Sequence, residues 1–376
     1  MRLYFIAGEP SGDRLGAAMM EQLKVLMPNV EFHGVGGPLM QAQGMASLFD
    51  MSELSVMGLA EVLPKLRSLF RRRDEVVADI QALQPDGIIT IDSPDFCLRV
   101  AKKIVGIPKI HYVAPSVWAW RPGRAEKMRG VVDHVLALLP FEPPYMKRVG
   151  ISCDFVGHPV VAEPVANARE ISKFRAEHGL MDATVVLALP GSRQGEVSRL
   201  SGVFGDSLSR LAATVPDLRV VIPAAQNVSD LVLQMTKNWP GNPVIIPSQD
   251  LVQKRAAFGA ANLALAASGT VSLELAASET PMVIAYDMNW ISWQMMRRMA
   301  LIDTVTLVNL VSETHAVPEF LGNRCRPDLI GKALADVLEE PDLQRDASRE
   351  TMRRLGAEDE APGLRAARSV LTAIKR

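Results

Sequence analysis

Four short segments combine flexible glycines with side chains that can move a proton or grip an anion. Gly8-Glu9-Pro10-Ser11-Gly12-Asp13 sets a carboxylate and a hydroxyl between two glycines, so that the backbone can close on a ligand. It reads equally well as a tight turn with Ser11 or Asp13 capping the helix that follows. Ile91-Asp92-Ser93-Pro94-Asp95 places an acid directly after an apolar run. Ser93, Pro94 and Asp95 are accounted for as N-cap, first helical residue and favourable first-turn charge. Asp92 has no such structural reason and is the preferred general base, an ion pair or loop cap being the plain alternative.

Two further junctions suit anions. Leu189-Pro190-Gly191-Ser192-Arg193 offers backbone amides, a hydroxyl and a guanidinium at a helix start, a combination fit for phosphate. Ala267-Ser268-Gly269-Thr270-Val271-Ser272-Leu273-Glu274 brings small residues and hydroxyls to another helix start, with Glu274 one turn after Thr270 on nearly the same face. Phosphate on those amides and a ribose diol on Glu274 make an economical arrangement, and two such junctions in one half of the chain point to a nucleoside diphosphate.

Elements that would position these residues follow from hydrophobic patterning. Apolar runs at Leu3–Ala7, Phe32–Val35, Gly87–Ile91, Lys109–Val113 and Val135–Leu139 read as buried strands. A second series lies at Thr184–Leu189, Arg219–Ile222, Val244–Ile246, Leu263–Ala266 and Met282–Ala285. Helical periodicity fills the intervals, including Val56–Leu83 with an expected break near Pro64, and Pro94–Val105. Such alternation predicts parallel sheets covered on both faces, with ligands at the carboxyl ends of the strands. The fold class is therefore α/β, with two doubly wound Rossmann-like domains, residues 1–160 and 161–355. A C-terminal helix occupies 356–376, and its return to the first domain is left open.

Composition excludes several classes. The 376 residues carry 41 Lys and Arg against 42 Asp and Glu, a net charge of −1, so no whole-protein attraction to nucleic acid is expected. Cys97, Cys153 and Cys325 are far apart and the six histidines form no HxH or HExxH pattern, which disfavours disulfide scaffolds and zinc sites. There is no GxGxxG and no P-loop, so a dinucleotide cofactor and the usual nucleotide-triphosphate cradle are both disfavoured. The opening segment reaches Gly8 and Glu9 too soon for a signal peptide, and a cytoplasmic location is expected. Leu63-Pro64-Lys65-Leu66-Arg67-Ser68-Leu69-Phe70-Arg71-Arg72-Arg73 mixes five basic residues with apolar ones at helical spacing. It suits an anionic bilayer, with an ordinary solvated amphipathic face as the alternative. Trp290–Met299 is similar in composition, and His111-Tyr112-Val113 followed by Trp118-Ala119-Trp120-Arg121 either lines an acceptor site or packs beside it.

Taken together these segments resemble the lipid-A-disaccharide synthase family of GT-B glycosyltransferases. The likeness runs through GEPSGD (8–13), GVGGPLMQAQG (34–44), SVMGLAEVL (55–63), IDSPDF (91–96), HYVAPSVWAWR (111–121), LPFE (139–142), FVGHP (155–159), LPGSR (189–193) and ASGTVSLE (267–274). The resemblance implies two domains facing a cleft, with donor nucleotide held by the second and acceptor mostly by the first. It implies an inverting, metal-free transfer from UDP-2,3-diacylglucosamine to 2,3-diacylglucosamine 1-phosphate, giving lipid A disaccharide 1-phosphate and UDP, with no cofactor. It also implies a peripheral enzyme on the inner face of a Gram-negative inner membrane, with an anionic membrane surface as partner, no nucleic acid, and a homodimer left open.

Residue by residue, the family's base falls on Asp92, with Glu9 and Ser11 in the loop near the reacting centre and Glu9 or His111 as alternative carriers of the base role. Arg193, with Ser192, matches the PGSR segment expected to stabilise the departing diphosphate. Ser268, Gly269, Thr270 and Glu274 match the donor-nucleotide segment, and Asn309 the family's Asn in a PNL segment. Leu66, Leu69, Phe70, Arg71, Arg72 and Arg73 form the expected membrane and acceptor surface. Two positions depart from the family: Val308 stands in place of Pro before Asn309, and Gly322 in place of a Gln. The competing readings are another UDP-sugar enzyme of this fold (a 2-epimerase, or a transferase for a different lipid acceptor) and a nucleotide-sugar binding protein without turnover.

Overall fold

Segments such as Leu3-Tyr4-Phe5-Ile6-Ala7 and Val185-Val186-Leu187-Ala188 have no exposed surface at all. That is the signature of strands covered on both faces. The computed structural model describes residues 1–54, 59–288, 293, 294, 298, 299 and 301–375, with backbone alone over 59–65. Two units follow, Met1–Ala162 with Leu355–Arg376, and Glu163–Arg354.

The first unit is built on β1 (Arg2–Ala7), β2 (Glu31–Val35), β3 (Ala46–Ser47), β4 (Gly87–Ile91), β5 (Lys109–Tyr112), β6 (His134–Ala137) and β7 (Ser152–Phe155). They form one parallel sheet in the order β3-β2-β1-β4-β5-β6-β7. The chain runs outward from β1 on one side, then returns to lay β4 on its other flank. This is a topological switch point, where loops diverge and leave a crevice at the carboxyl ends. Ala7 is paired with Ile91, so Gly8-Glu9 and Asp92-Ser93 leave the sheet side by side.

The second unit repeats the plan with β8 (Thr184–Leu189), β9 (Leu218–Ala224), β10 (Val244–Pro247), β11 (Leu263–Ala266), β12 (Met282–Tyr286) and β13 (Glu319–Leu321). Their order is β10-β9-β8-β11-β12-β13, again all parallel. The switch point lies between β8 and β11, where Leu189 pairs with Ala266. The Pro190–Arg193 and Ala267–Thr270 segments therefore emerge together.

Three strands lack the expected apolar runs. β3, β7 and β13 are short and lie at sheet edges. There Ser152-Cys153-Asp154-Phe155 alternates between burial and exposure, as a half-covered strand does. The helix Leu59–Leu83 shows no break at Pro64. A proline in its second turn removes one N–H bond and leaves the rest of the ladder intact. Residues 55–58 of the SVMGLAEVL segment, and most of Trp290–Met299, lie outside the described residues.

The tail forms three helices. Pro327–Glu339 and Asp342–Arg354 belong to the second unit, whereas Pro362–Ile374 packs on the first. Ala366, Ala367 and Val370 are wholly buried in one cluster with Leu15, Met19 and Leu23. Gly363 lies so close to the helix Pro10–Leu26 that an added Cβ would sit 2.7 Å from the Ala18 carbonyl oxygen.

Candidate active site

At the first switch point the backbone is strained. Asp92 and Ser93 adopt φ of +49° and +42°, and Val113, beyond the neighbouring strand, +83°. Left-handed conformations are costly for non-glycine residues and cluster where a site must be held in shape. Asp92 is anchored by its N–H to the Tyr112 carbonyl at 2.9 Å. Gly8 permits the close approach of the two loops, because a Cβ there would stand 2.6 Å from Ser93 Oγ.

Asp92 is half-buried, and desolvation raises its pKa above the usual aspartate range. It lines a cavity of about 390 Å³ with Glu9, Ser93 and Asp95 on the polar side. Leu54, Leu66, Leu69, Phe70, Pro94 and Phe96 make its apolar wall, and Arg73 and Arg99 border it. A carboxylate with raised basicity at an apolar wall is equipped to accept a proton from an amphiphilic alcohol.

Several expected residues are placed differently. Ser11 is exposed and does not line this cavity. Ser93 occupies the N-cap position, but its left-handed backbone leaves it without a capping side-chain bond. Asp13 is buried and accepts N–H bonds from Gly37, Leu39 and Met40 at 2.9 to 3.0 Å. It therefore caps the helix Pro38–Ala42 and not its own. His111 is buried, its Nδ1 lies 2.8 Å from Thr90 Oγ1, and burial lowers its pKa to about 4. It stays neutral inside the sheet.

The basic run is less free than its composition implies. Arg72 is paired with Glu53 and Glu75 and lies over the Phe49 ring. Arg73 is paired with Asp74 and stacks on Phe70. Arg72 thus fastens the helix Leu59–Leu83 to Glu53 and Phe49 of its own unit, whereas the partners of Arg73 lie on the same helix. Arg67 and Arg71 are exposed, as is Phe70 at 40%.

The second switch point is richer in glycines and hydroxyls. A cavity of about 450 Å³ is lined by Gly191, Ser192, Arg193, Ser268, Gly269, Thr270 and Glu274, together with Glu196, Ser248 and Lys254. Arg193 is the N-cap of the helix Gln194–Ala212, and its carbonyl accepts the Glu196 and Val197 N–H groups. Its guanidinium is 3.4 Å from Glu196, whose carboxylate also receives the Ser192 N–H and the Tyr286 hydroxyl. Gly191, at φ +123°, is needed here, because a Cβ would strike Glu196 at 2.6 Å. Open space lies beside Gly269, which leaves the amides at the start of the helix Val271–Ala277 approachable. Glu274 is joined by Lys254, a cation twenty residues earlier on the helix Leu251–Ala260, with no local motif to announce it.

Asn309 lies outside this cavity. It is buried, and its amide donates to Thr304 Oγ1 and the Val317 carbonyl and accepts the Val317 N–H. With its amide nitrogen and oxygen both engaged it fastens the segment before β13, a structural duty that its spacing did not reveal. Among the described residues no three His, Cys, Asp or Glu side chains gather as a metal-ligating group. Nor, among them, is any helix long and apolar enough to cross a membrane.

A family model described as lipid-A-disaccharide synthetase matches residues 3–371. The chain belongs to the lipid-A-disaccharide synthase family. Lipid-A-disaccharide synthase of Ruegeria pomeroyi is 58% identical over 380 residues, covering 99% of this chain and 95% of that protein. The Rhodospirillum centenum enzyme of the same name is 46% identical and covers 100% and 95%. Membership makes the chain a glycosyltransferase of lipid A biosynthesis. Among solved structures, UDP-GlcNAc 2-epimerase from Neisseria meningitidis bound to UDP-GlcNAc aligns at a TM-score of 0.66 with 14% identity, covering 100% of both chains. MurG of Acinetobacter baumannii aligns at 0.59 with 14% identity, covering 100% and 99%. These distant neighbours agree on the two Rossmann-like domains of the GT-B architecture.

Proposed function

We propose that this member of the family joins UDP-2,3-diacylglucosamine to 2,3-diacylglucosamine 1-phosphate, with inversion, at the inner face of the inner membrane. The observation that carries this reading is Asp92, half-buried and held in a strained conformation beside a wall of Leu66, Leu69 and Phe70. A soluble sugar acceptor has no use for such a wall, whereas an acylated one does.

In the proposed reaction the acceptor's 6-hydroxyl gives its proton to Asp92 as its oxygen attacks the donor's anomeric carbon. The bond from that carbon to the diphosphate breaks on the opposite face, and UDP leaves with the electron pair. Charge growing on the diphosphate is met by Arg193, Ser192 and the amides around Ser268, Gly269 and Thr270, which are oriented before the reaction begins. Glu274, paired with Lys254, receives the ribose. Glu9 orients the acceptor beside Asp92. Membrane attachment uses the exposed apolar side of the helix Leu59–Leu83 around Phe70, with Arg67 and Arg71 toward anionic headgroups. Arg72, through Glu53 and Phe49, keeps that helix in place.

A radiolabel assay with the two acylated substrates, run with and without EDTA, tests this. Disaccharide formation that survives EDTA is the expected result. Transfer only to unacylated sugars, or UDP-sugar epimerisation without transfer, would overturn it.

A further inference from the structure

Next to the Asp92 cavity lies a second one of about 490 Å³, which shares Pro94 and Asp95 with it. Arg121, Arg124 and Lys127 line it. Among the described residues none of the three has a carboxylate within ion-pair distance. The guanidiniums of Arg121 and Arg124 instead rest on the Trp120 ring, 4.3 and 5.5 Å from its centroid. Elsewhere in the same unit Arg72, Arg73 and Lys103 are each matched to a carboxylate. Three cations gathered in one concavity lined by a single carboxylate, Asp95, repel one another, a cost that a bound anion would reverse.

The segment that leads into this cluster is braced. Val113 and Arg121 at its two ends adopt φ of +83° and +50°. Between them Trp118 is nearly buried, donates its indole N–H to the buried Glu142 at 3.1 Å, and packs edge-on against Phe141. Strained ends and a buried clamp give Trp120 and Arg121 a fixed position.

We propose that Arg121, Arg124 and Lys127 form an anion subsite that takes the phosphate ester of the acceptor sugar, while the sugar's free primary hydroxyl lies at Asp92. This rests on the reaction proposed above. Charge divides the two cavities and so orients the acceptor. Glu9, Asp92 and Asp95 outnumber Arg73 and Arg99 on the base side, whereas three cations face Asp95 alone on the other. Guanidinium forks match phosphate oxygens in pairs. A reversed acceptor would put its phosphate among carboxylates, so the subsite also selects which hydroxyl is glycosylated.

The same chemistry occurs in a lipid headgroup, and the experiment separates the two sources. The full chain and the triple variant Arg121→Gln, Arg124→Gln, Lys127→Gln would be assayed with UDP-2,3-diacylglucosamine and two acceptors, 2,3-diacylglucosamine with and without its 1-phosphate. The reading is the ratio of kcat/KM for the two acceptors, which is insensitive to any misfolded fraction. We expect the native chain to favour the phosphorylated acceptor, and the variant's ratio to fall on the order of 100-fold, as loss of two or more charge-assisted bonds implies. A native ratio near one, or a variant ratio unchanged, would overturn the subsite and leave the reaction standing. Sedimentation with phosphatidylglycerol vesicles covers the other source: weakened binding in the variant with an unchanged ratio would assign the cations to headgroups. Transfer to neither acceptor by the native chain would overturn the reaction and the subsite together.

Discussion

The two units share one topology and differ in what stands at the same place in it. In each, the first strand is flanked by strands reached in opposite directions, β2 and β4 around β1, β9 and β11 around β8. In each, two loops leave the switch point side by side. The first unit fills that place with Glu9, Asp92 and an apolar wall bordered by Arg73 and Arg99, the second with glycines, hydroxyls, and Arg193 and Lys254 paired with Glu196 and Glu274. Topology thus supplies a location, and the residues just beyond the strand ends decide its chemical character.

Exchanging or deleting those residues breaks the contrast. Asp92→Asn removes the proton acceptor and is expected to lower kcat by about 10²–10⁴-fold with UDP affinity by calorimetry unchanged; weakened UDP binding would show that the two roles are not divided between the units. Because burial raises the Asp92 pKa, activity is also expected to fall as acidification protonates it, on a limb lying above the usual aspartate range and absent from the residual rate of Asp92→Asn. Arg193→Ala acts on the other side, with an expected loss of about 10²–10³-fold in kcat and weaker UDP binding. An effect confined to acceptor KM would reverse its assignment.

Glu142 tests the bracing of the first unit. It is buried, accepts N–H bonds from Trp118, Leu138 and Leu139, and desolvation pushes it up to about 7. Above the unfolded value of 4.5 the unfolded chain ionises first. Stability is therefore highest below that value and falls as pH rises towards 7, by on the order of 3 kcal/mol. Urea titrations at pH 5 and pH 8 should show this decline in the native chain and a smaller one in Glu142→Gln. The smallest effect is expected from Phe70→Ser. Losing a partly exposed aromatic from the apolar wall costs about 1 kcal/mol, or about fivefold in acceptor KM and vesicle binding, with donor KM unchanged.

Much of this site was legible because its residues follow apolar runs directly. Gly87–Ile91, Thr184–Leu189 and Leu263–Ala266 end at the observed residues, since a strand buried on both faces must be largely apolar. Asp92, Arg193 and Ser268 come within four residues of those ends, where parallel sheets place ligands. Residues whose roles depend on distant partners were not legible. Lys254 reaches Glu274 from another helix, Glu142 holds Trp118 across twenty-four residues, and Arg72 is claimed by Glu53. Ser11 and Asn309 have suitable chemistry in a suitable segment, but Ser11 is left in solvent and the Asn309 amide is engaged by Thr304 and Val317.

Local periodicity and strand-end positions thus settled the class of fold and the loops that leave the two switch points. These are short-range properties, since burial on both faces dictates composition residue by residue. Tertiary structure alone decided that the last helix returns to the first unit, that Asp13 caps another helix, and that Arg121, Arg124 and Lys127 share one cavity with Asp95. Each of those depends on a pairing across the chain, chosen by packing and desolvation among many partners that the sequence equally permits.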